Sequence, residues 1–239
     1  MCTVTLLPLS KQNFILTSNR DEDIHRKTIF PKIYQEENTH LLYPKDQQGG
    51  GTWIGISSQH RMICLLNGGF ENHVRKLPYR KSRGTIVTDL LKTDSLEKSL
   101  KGYNFMNIEP FTLVVADWEK DLIFREIVWD GKKLHNNTLR NCLHLWSSST
   151  LYTPEMKSKR KEWLDEFQNN NPLNNKSLLD FHKNGGQGHP DCGLQIDRGT
   201  LKTRSITQII KTTDDLLMRY ENLQEKRVIT VGFEHMVVH

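Results

Sequence analysis

Apolar positions open the chain in two short runs, residues 2–9 and 13–18, split by Ser10-Lys11-Gln12-Asn13. That pattern predicts a β-hairpin. Its second half, Phe14-Ile15-Leu16-Thr17, runs straight into Ser18-Asn19-Arg20-Asp21-Glu22-Asp23, a dense polar cluster where the strand is expected to end. Residues 24–50 are polar, hold Pro31, Pro44 and the run Gly49-Gly50-Gly51, and read mainly as loop. Alternation returns in TWIGISSQHRMICLLN, a second hairpin turning near residues 57–59. It returns again in FTLVVADWEKDLIFREIVWDG, a third hairpin turning near residues 119–121. Between these, Ile86, Leu90, Leu91, Leu96 and Leu100 recur at helical spacing, with a cap at Asp94 or Ser95.

LHLWSSS is a predicted strand running into small polar residues. From Pro154 the period becomes helical. Thr153 is the expected cap and Pro154 the first helical position, with Met156, Trp163, Leu164 and Phe167 as the apolar face. NKSLLDFHKN predicts a shorter helix, and GGQGHPDCG a loop. TRSITQIIKTTDDLLMRYENL alternates as two strands joined at Thr213-Asp214-Asp215, and RVITVGF is a last strand. Hairpins come first, helices group in the middle and strands return. This order predicts an α+β fold with antiparallel sheets, not a βαβ chain. We read residues 1–239 as one domain.

With 36% hydrophobic and 26% charged residues, the composition is that of a soluble globular protein. No apolar run is long enough to cross a bilayer, so no stable membrane insertion is expected. The amino terminus lacks the basic region of a secretory signal and meets Pro8 early, which points to a cytoplasmic location. The net charge of +5 is scattered; its densest knot, Lys157-Ser158-Lys159-Arg160-Lys161, reads as a solvated helix face. No nucleic-acid-binding signature accompanies it.

The four cysteines, Cys2, Cys64, Cys142 and Cys192, have no metal-ligand spacing. Cys64 lies in an apolar run and reads as core. Cys2 is unusual. Removal of Met1 would give it a thiol and a free α-amine on one residue. Their reference pKa values are about 8.5 and about 7.7–8.0, so the amine can act as base for its own side chain. In the predicted hairpin, the cluster at 19–22 falls beside the first residues of the chain. Arg20 is then placed to hold a thiolate or an anionic substrate group, Asp21 to hold the α-ammonium, and Asn19 to donate or accept without charge. The same cluster also fits a solvated turn with mutual salt bridges.

MCTV at the start, LTSNRDE, GGTWIGIS with LLNGG, and TRSIT at 203–207 together resemble the NRDE family, which includes the transport and Golgi organisation protein-like chains. The family takes its name from Asn-Arg-Asp-Glu, here Asn19-Arg20-Asp21-Glu22. It looks related to the amino-terminal-nucleophile cysteine hydrolases, such as bile salt hydrolase and penicillin V acylase. The resemblance implies a four-layer αββα sandwich of two antiparallel sheets. It also implies Cys2 as nucleophile, Asp21 as partner of the terminal amine and Asn67 as oxyanion donor. Asn19, Glu22, Arg204 and Ser148 become substrate-binding candidates, Arg204 against the hydrolases' late arginine and Ser147-Ser148-Ser149 in the place of their later asparagine. Ser18 departs from the pattern, because those hydrolases carry arginine there.

Two functions from different classes follow. One is cysteine amidohydrolysis of a C–N bond in a small molecule, with no cofactor. The other is binding and trafficking of haem or an acyl lipid on the same scaffold, with Cys2 or one of His25, His60, His73 and His189 available to iron. A chain that only contacts another protein is a third reading.

Overall fold

The computed structural model describes residues 3–36 and 38–233. Its first part is strands: β1 (Thr3–Pro8), β2 (Phe14–Asp23), β3 (Thr28–Glu36), β4 (Thr39–Asp46), β5 (Ile54–Ser57) and β6 (Arg61–Asn67). Helices α1 (Arg83–Lys92) and α2 (Leu96–Gly102) follow, then β7 (Phe111–Asp117), β8 (Ile123–Trp129), β9 (Leu134–Thr138) and β10 (His144–Ser147). Helices α3 (Pro154–Asn170) and α4 (Asn175–Asn184) lead into β11 (Asp197–Arg198), β12 (Leu201–Lys211), β13 (Leu216–Asn222) and β14 (Arg227–Gly232).

Three expectations need correction. The polar cluster does not follow the second strand; it is the last part of β2, which runs on to Asp23. Residues 24–50 are not mainly loop, because β3 and β4 lie there. Pro31 sits where the β3–β4 register shifts between Ile29 and Lys32, at the edge of its sheet, and Pro44 lies beyond the two residues of β4 that pair with β5. A proline is tolerated in both positions because no ladder hydrogen bond is asked of it. Strand β9 escaped because LHNNT is a largely exposed edge strand with no apolar alternation.

The elements form two compact units. The first, residues 3–26 and Asn141–Gly232, holds an antiparallel sheet in the order β10-β1-β2-β12-β13-β14, with β11 beside β12. Helix α3 packs on β10, and α4 on β2 and β12. The second unit, built on Lys27–Arg140, is an antiparallel meander in which β3 to β9 follow one another in space as in sequence. Helix α1 covers β5 and β6 and touches α2.

The second unit is anchored by close contacts around α1. Ile86, Leu90 and Leu91 are buried, as their spacing predicts, and Val87 is buried with them. Buried Arg61 donates to the Leu90 and Thr93 carbonyls, satisfying the open end of α1, while its Nε meets Asp117 at 2.9 Å. Gly51 lies so close to Gly84 at the helix start that a Cβ there would fall 2.2 Å from the Gly84 carbonyl carbon.

Helix α3 is capped by Thr153, as its sequence predicts, and α4 also carries a side-chain cap. The Thr153 hydroxyl accepts from the Met156 amide at 3.3 Å, and Asn174 forms a reciprocal capping box with Ser177. The face of α3 differs from expectation. Its buried residues are Arg160 and Leu164, so one cation of the supposed solvated knot points inward.

Candidate active site

Thr3 sits between Asn19 of β2 on one side and Ser147 of β10 on the other. Cys2 directly precedes Thr3 in the chain and lies outside the described residues. Beyond Asn19, β2 continues along β12, with Arg20 opposite Ser205 and Asp21 opposite Thr203. The register shifts between Thr203 and Ser205, so Arg204 is the extra residue of a β-bulge.

Side chains alternate across β2. Ile15, Thr17 and Asn19 face the helices. Ile15 packs with Leu7 and Leu178, and Gln208 bridges Thr17 to the Asn175 carbonyl of α4. The Asn19 amide donates to the carbonyls of His182 at 3.0 Å and Leu194 at 2.7 Å. Its Oδ1 therefore accepts, and it meets His182 Nδ1 at 2.8 Å. Burial, aided by the Arg160 charge, pushes the His182 pKa down to about 3, so the imidazole is neutral and carries one proton. That proton sits on Nδ1, and Nε2 accepts from the Thr5 hydroxyl at 2.8 Å. Asn19 thus ties β2 to α4 and to the loop after it.

The opposite face of β2 carries Leu16, Ser18, Arg20 and Glu22. Across from them on β12 lie Ile209, Thr207 and Ser205. This face is apolar around Leu6, Leu16 and Ile209 and turns polar toward the start of β1. The hydroxyls of Ser18, Ser205 and Thr207 are buried there with no hydrogen-bond partner among the described residues. Arg20 is 1% exposed and meets Glu22 at 3.6 Å; Glu22 also meets Arg26 at 3.6 Å.

Asp21 is buried on the other side of β2, the helix-facing side it shares with Asn19. Tyr152 donates to its Oδ2 at 2.5 Å and Thr203 to its Oδ1 at 2.6 Å. The Thr203 hydroxyl in turn accepts from the Ile196 amide at 2.8 Å. The Tyr152 ring lies under the Arg160 guanidinium, 3.5 Å from its centroid. Fully buried Arg160 donates to Thr3 Oγ1 at 2.6 Å, Ser147 Oγ at 3.2 Å, the Cys192 carbonyl at 2.9 Å and the Gly193 carbonyl at 2.5 Å. Removing two charges from water costs several kcal/mol per ion, so each needs donors or acceptors of this quality. The network fixes the carboxylate and the first described residue of the chain to one frame.

Ser148 follows β10 and is buried; its hydroxyl meets that of Thr150 at 3.0 Å, and its carbonyl accepts the Tyr152 amide at 3.1 Å. Arg204, on the bulge, donates to the Ile24 carbonyl. Arg20, Asp21, Glu22, Arg204 and Ser148 all lie in the first unit, with Asn19 turned to the helices. Asn67 belongs to the second unit, where it ends β6 ahead of Gly68. The histidines are dispersed: His25 and His189 lie in the first unit, His60 and His73 in the second, and His73 meets Glu109 at 3.2 Å. No metal-binding cluster of three or more His, Cys, Asp or Glu occurs among the described residues.

Sequence reasoning missed Tyr152, Arg160, His182 and Thr203. Arg160 and His182 left a signal: Arg160 stands four residues from both Met156 and Leu164 on the stripe of α3, and His182 four residues after Leu178 on that of α4.

Solved structures share this architecture at low identity. The N-acylethanolamine-hydrolyzing acid amidase ortholog of Caenorhabditis elegans superposes with a TM-score of 0.61 at 12% identity, covering 98% of this chain and 100% of that one. A mutant conjugated bile acid hydrolase from Clostridium perfringens gives 0.58 at 9% identity, covering 96% and 92%. Penicillin V acylase from Agrobacterium tumefaciens gives 0.56 at 11% identity, covering 97% and 86%. The fold, two antiparallel sheets with four helices, is thus that of the amino-terminal-nucleophile hydrolases. No curated protein matches the chain. A family model described as Transport and Golgi organisation 2 matches residues 1–214.

Proposed function

The chain belongs to the Transport and Golgi organisation 2 family, and from that premise we propose that it is an amino-terminal-nucleophile amidohydrolase acting on a small molecule through Cys2. The neighbours in fold carry the names acylase, hydrolase and amidase, and the reaction is of that kind. The observation that carries the reading is Asp21: a buried carboxylate, held on both oxygens, in a network that also binds the residue after Cys2.

With Met1 removed, the Cys2 amine takes the thiol proton as sulfur attacks the amide carbonyl carbon. The tetrahedral intermediate collapses, the proton passes to the leaving nitrogen, and the C–N bond breaks to leave a thioester. Water then attacks the thioester, the same amine accepting its proton, and the acid departs as the thiol is restored. Asp21 sets the charge beside the amine. Arg20, with the hydroxyls of Ser18, Ser205 and Thr207, offers donors to the substrate's polar end.

Intact mass tests the premise, and turnover of an amide and thioester panel tests the reaction. Loss of Met1 and a product burst absent from Cys2→Ala are expected. Retained Met1, or equal turnover in Cys2→Ala, refutes the reading.

Ser18, standing where the resembled hydrolases carry arginine, favours a second reading in which the same polar face binds haem or an acyl lipid without turnover. A Soret shift on haem addition, lost in Cys2→Ala, is its signature; an unchanged spectrum rejects the haem form.

A further inference from the structure

The basic knot at 157–161 divides three ways. Arg160 turns inward. Lys159 lies over the Trp163 ring, 5.5 Å from its centroid. Lys157 and Lys161, one helical turn apart, line a groove of about 780 Å³ between α3 and β10. That volume is in the range of sites that hold ligands. Leu145 and Leu164 supply apolar wall, Ser147 stands at one end, and Asp165 is the one carboxylate on the wall.

Two features of this groove point to an occupant. First, β10 is the edge of its sheet: among the described strands it pairs only with β1. A strand paired on one side leaves every second backbone amide and carbonyl facing outward, a template for another strand. The segment has neither proline nor bulge to block such pairing. Second, Lys157 is half-buried and burial holds its pKa below the usual lysine range, yet no carboxylate meets Lys157 or Lys161 among the described residues. A partly desolvated cation without an anion is stabilised by one that arrives.

The two features match one occupant. The groove-lining stripe of α3 runs from Pro154 to Gln168, about 21 Å at the helical rise, and a strand of six residues spans about 20 Å. We propose that the β10–α3 groove docks an extended acidic peptide, which adds to the sheet along His144–Ser147 and sets carboxylates against Lys157 and Lys161. Main-chain pairing gives the affinity in this recognition mode, and alternate side chains give the selectivity. The site is independent of Cys2 and of any turnover.

The test uses the full chain and a labelled heptapeptide of alternating Val and Glu, with two controls: Gln in place of Glu, and the acidic peptide N-methylated at alternate residues. Fluorescence anisotropy and amide exchange at residues 144–147 are read together. The acidic peptide is expected to bind and slow exchange in β10, and to lose at least tenfold in affinity on N-methylation, with Gln for Glu, or against the Lys157→Glu/Lys161→Glu variant. Absence of binding at millimolar peptide, equal affinity for the Gln peptide, or protection of β10 by self-association of the chain overturns the proposal. Melting curves of the double variant, whose changes lie on an exposed and a half-exposed side chain, separate lost binding from lost folding.

Discussion

At the scale of single residues, the buried polar network makes the sharpest claims. Removing the Tyr152 hydroxyl leaves Asp21 Oδ2 without its buried donor, so Tyr152→Phe is expected to cost about 1–3 kcal/mol in urea unfolding. Thr203→Val, which removes the donor to Oδ1, falls in the same range. His182 gives the acid response. Its folded pKa of about 3 lies below the unfolded value of about 6.5, so the unfolded chain binds the extra proton between these values. Its contribution is therefore present above pH 6.5 and lost as pH falls toward 3. Between pH 7.5 and 5.5 that loss is about 1.4 kcal/mol, measured as the change in unfolding free energy, and His182→Gln should shallow the slope by nearly one proton.

At the scale of elements, packing explains both what the sequence showed and what it hid. The amino-terminal hairpin, the 54–67 and 111–129 hairpins and both central helices were legible, because apolar residues recur in each at strand or helix spacing, and Thr153-Pro154 mark the start of α3. β3 and β9 were illegible because edge strands need no such face. The far end of β2 was illegible for the opposite reason: it is buried on both faces, yet polar because its partners are Tyr152, Thr203 and Glu22. Tyr152 and Thr203 come from distant segments, and no local spacing announces them. The Gly51–Gly84 contact carries a prediction at this scale. Gly51→Ala forces the loop off α1 and is expected to cost about 1–3 kcal/mol by thermal or urea unfolding.

At the scale of the molecule, the two sheets are assembled differently. The meander joins neighbours in sequence, whereas the first sheet is closed by β2 against β12, with Asp21 and Thr203 182 residues apart along the chain. The family match ends at residue 214, so β13 and β14 lie beyond it and complete one flank of this sheet. Amide exchange should follow that order. Leu16 and Ile209, buried and central, are expected to exchange most slowly in the first unit, and β14 at the edge fastest. Uniform protection across the sheet would contradict this.

The bulge at Arg204 also bears on inheritance. Thr203 and Ser205 are two residues apart, yet they stand opposite neighbouring residues of β2, because Arg204 is inserted between them. An in-frame loss of codon 204 would join two stretches that already agree in phase, leaving Thr203 with Asp21 and Ser205 with Arg20. Loss of codon 206 would instead throw every following side chain of β12 onto the wrong face. One strand therefore holds, two positions apart, a site where a deletion keeps the register and one where it breaks it.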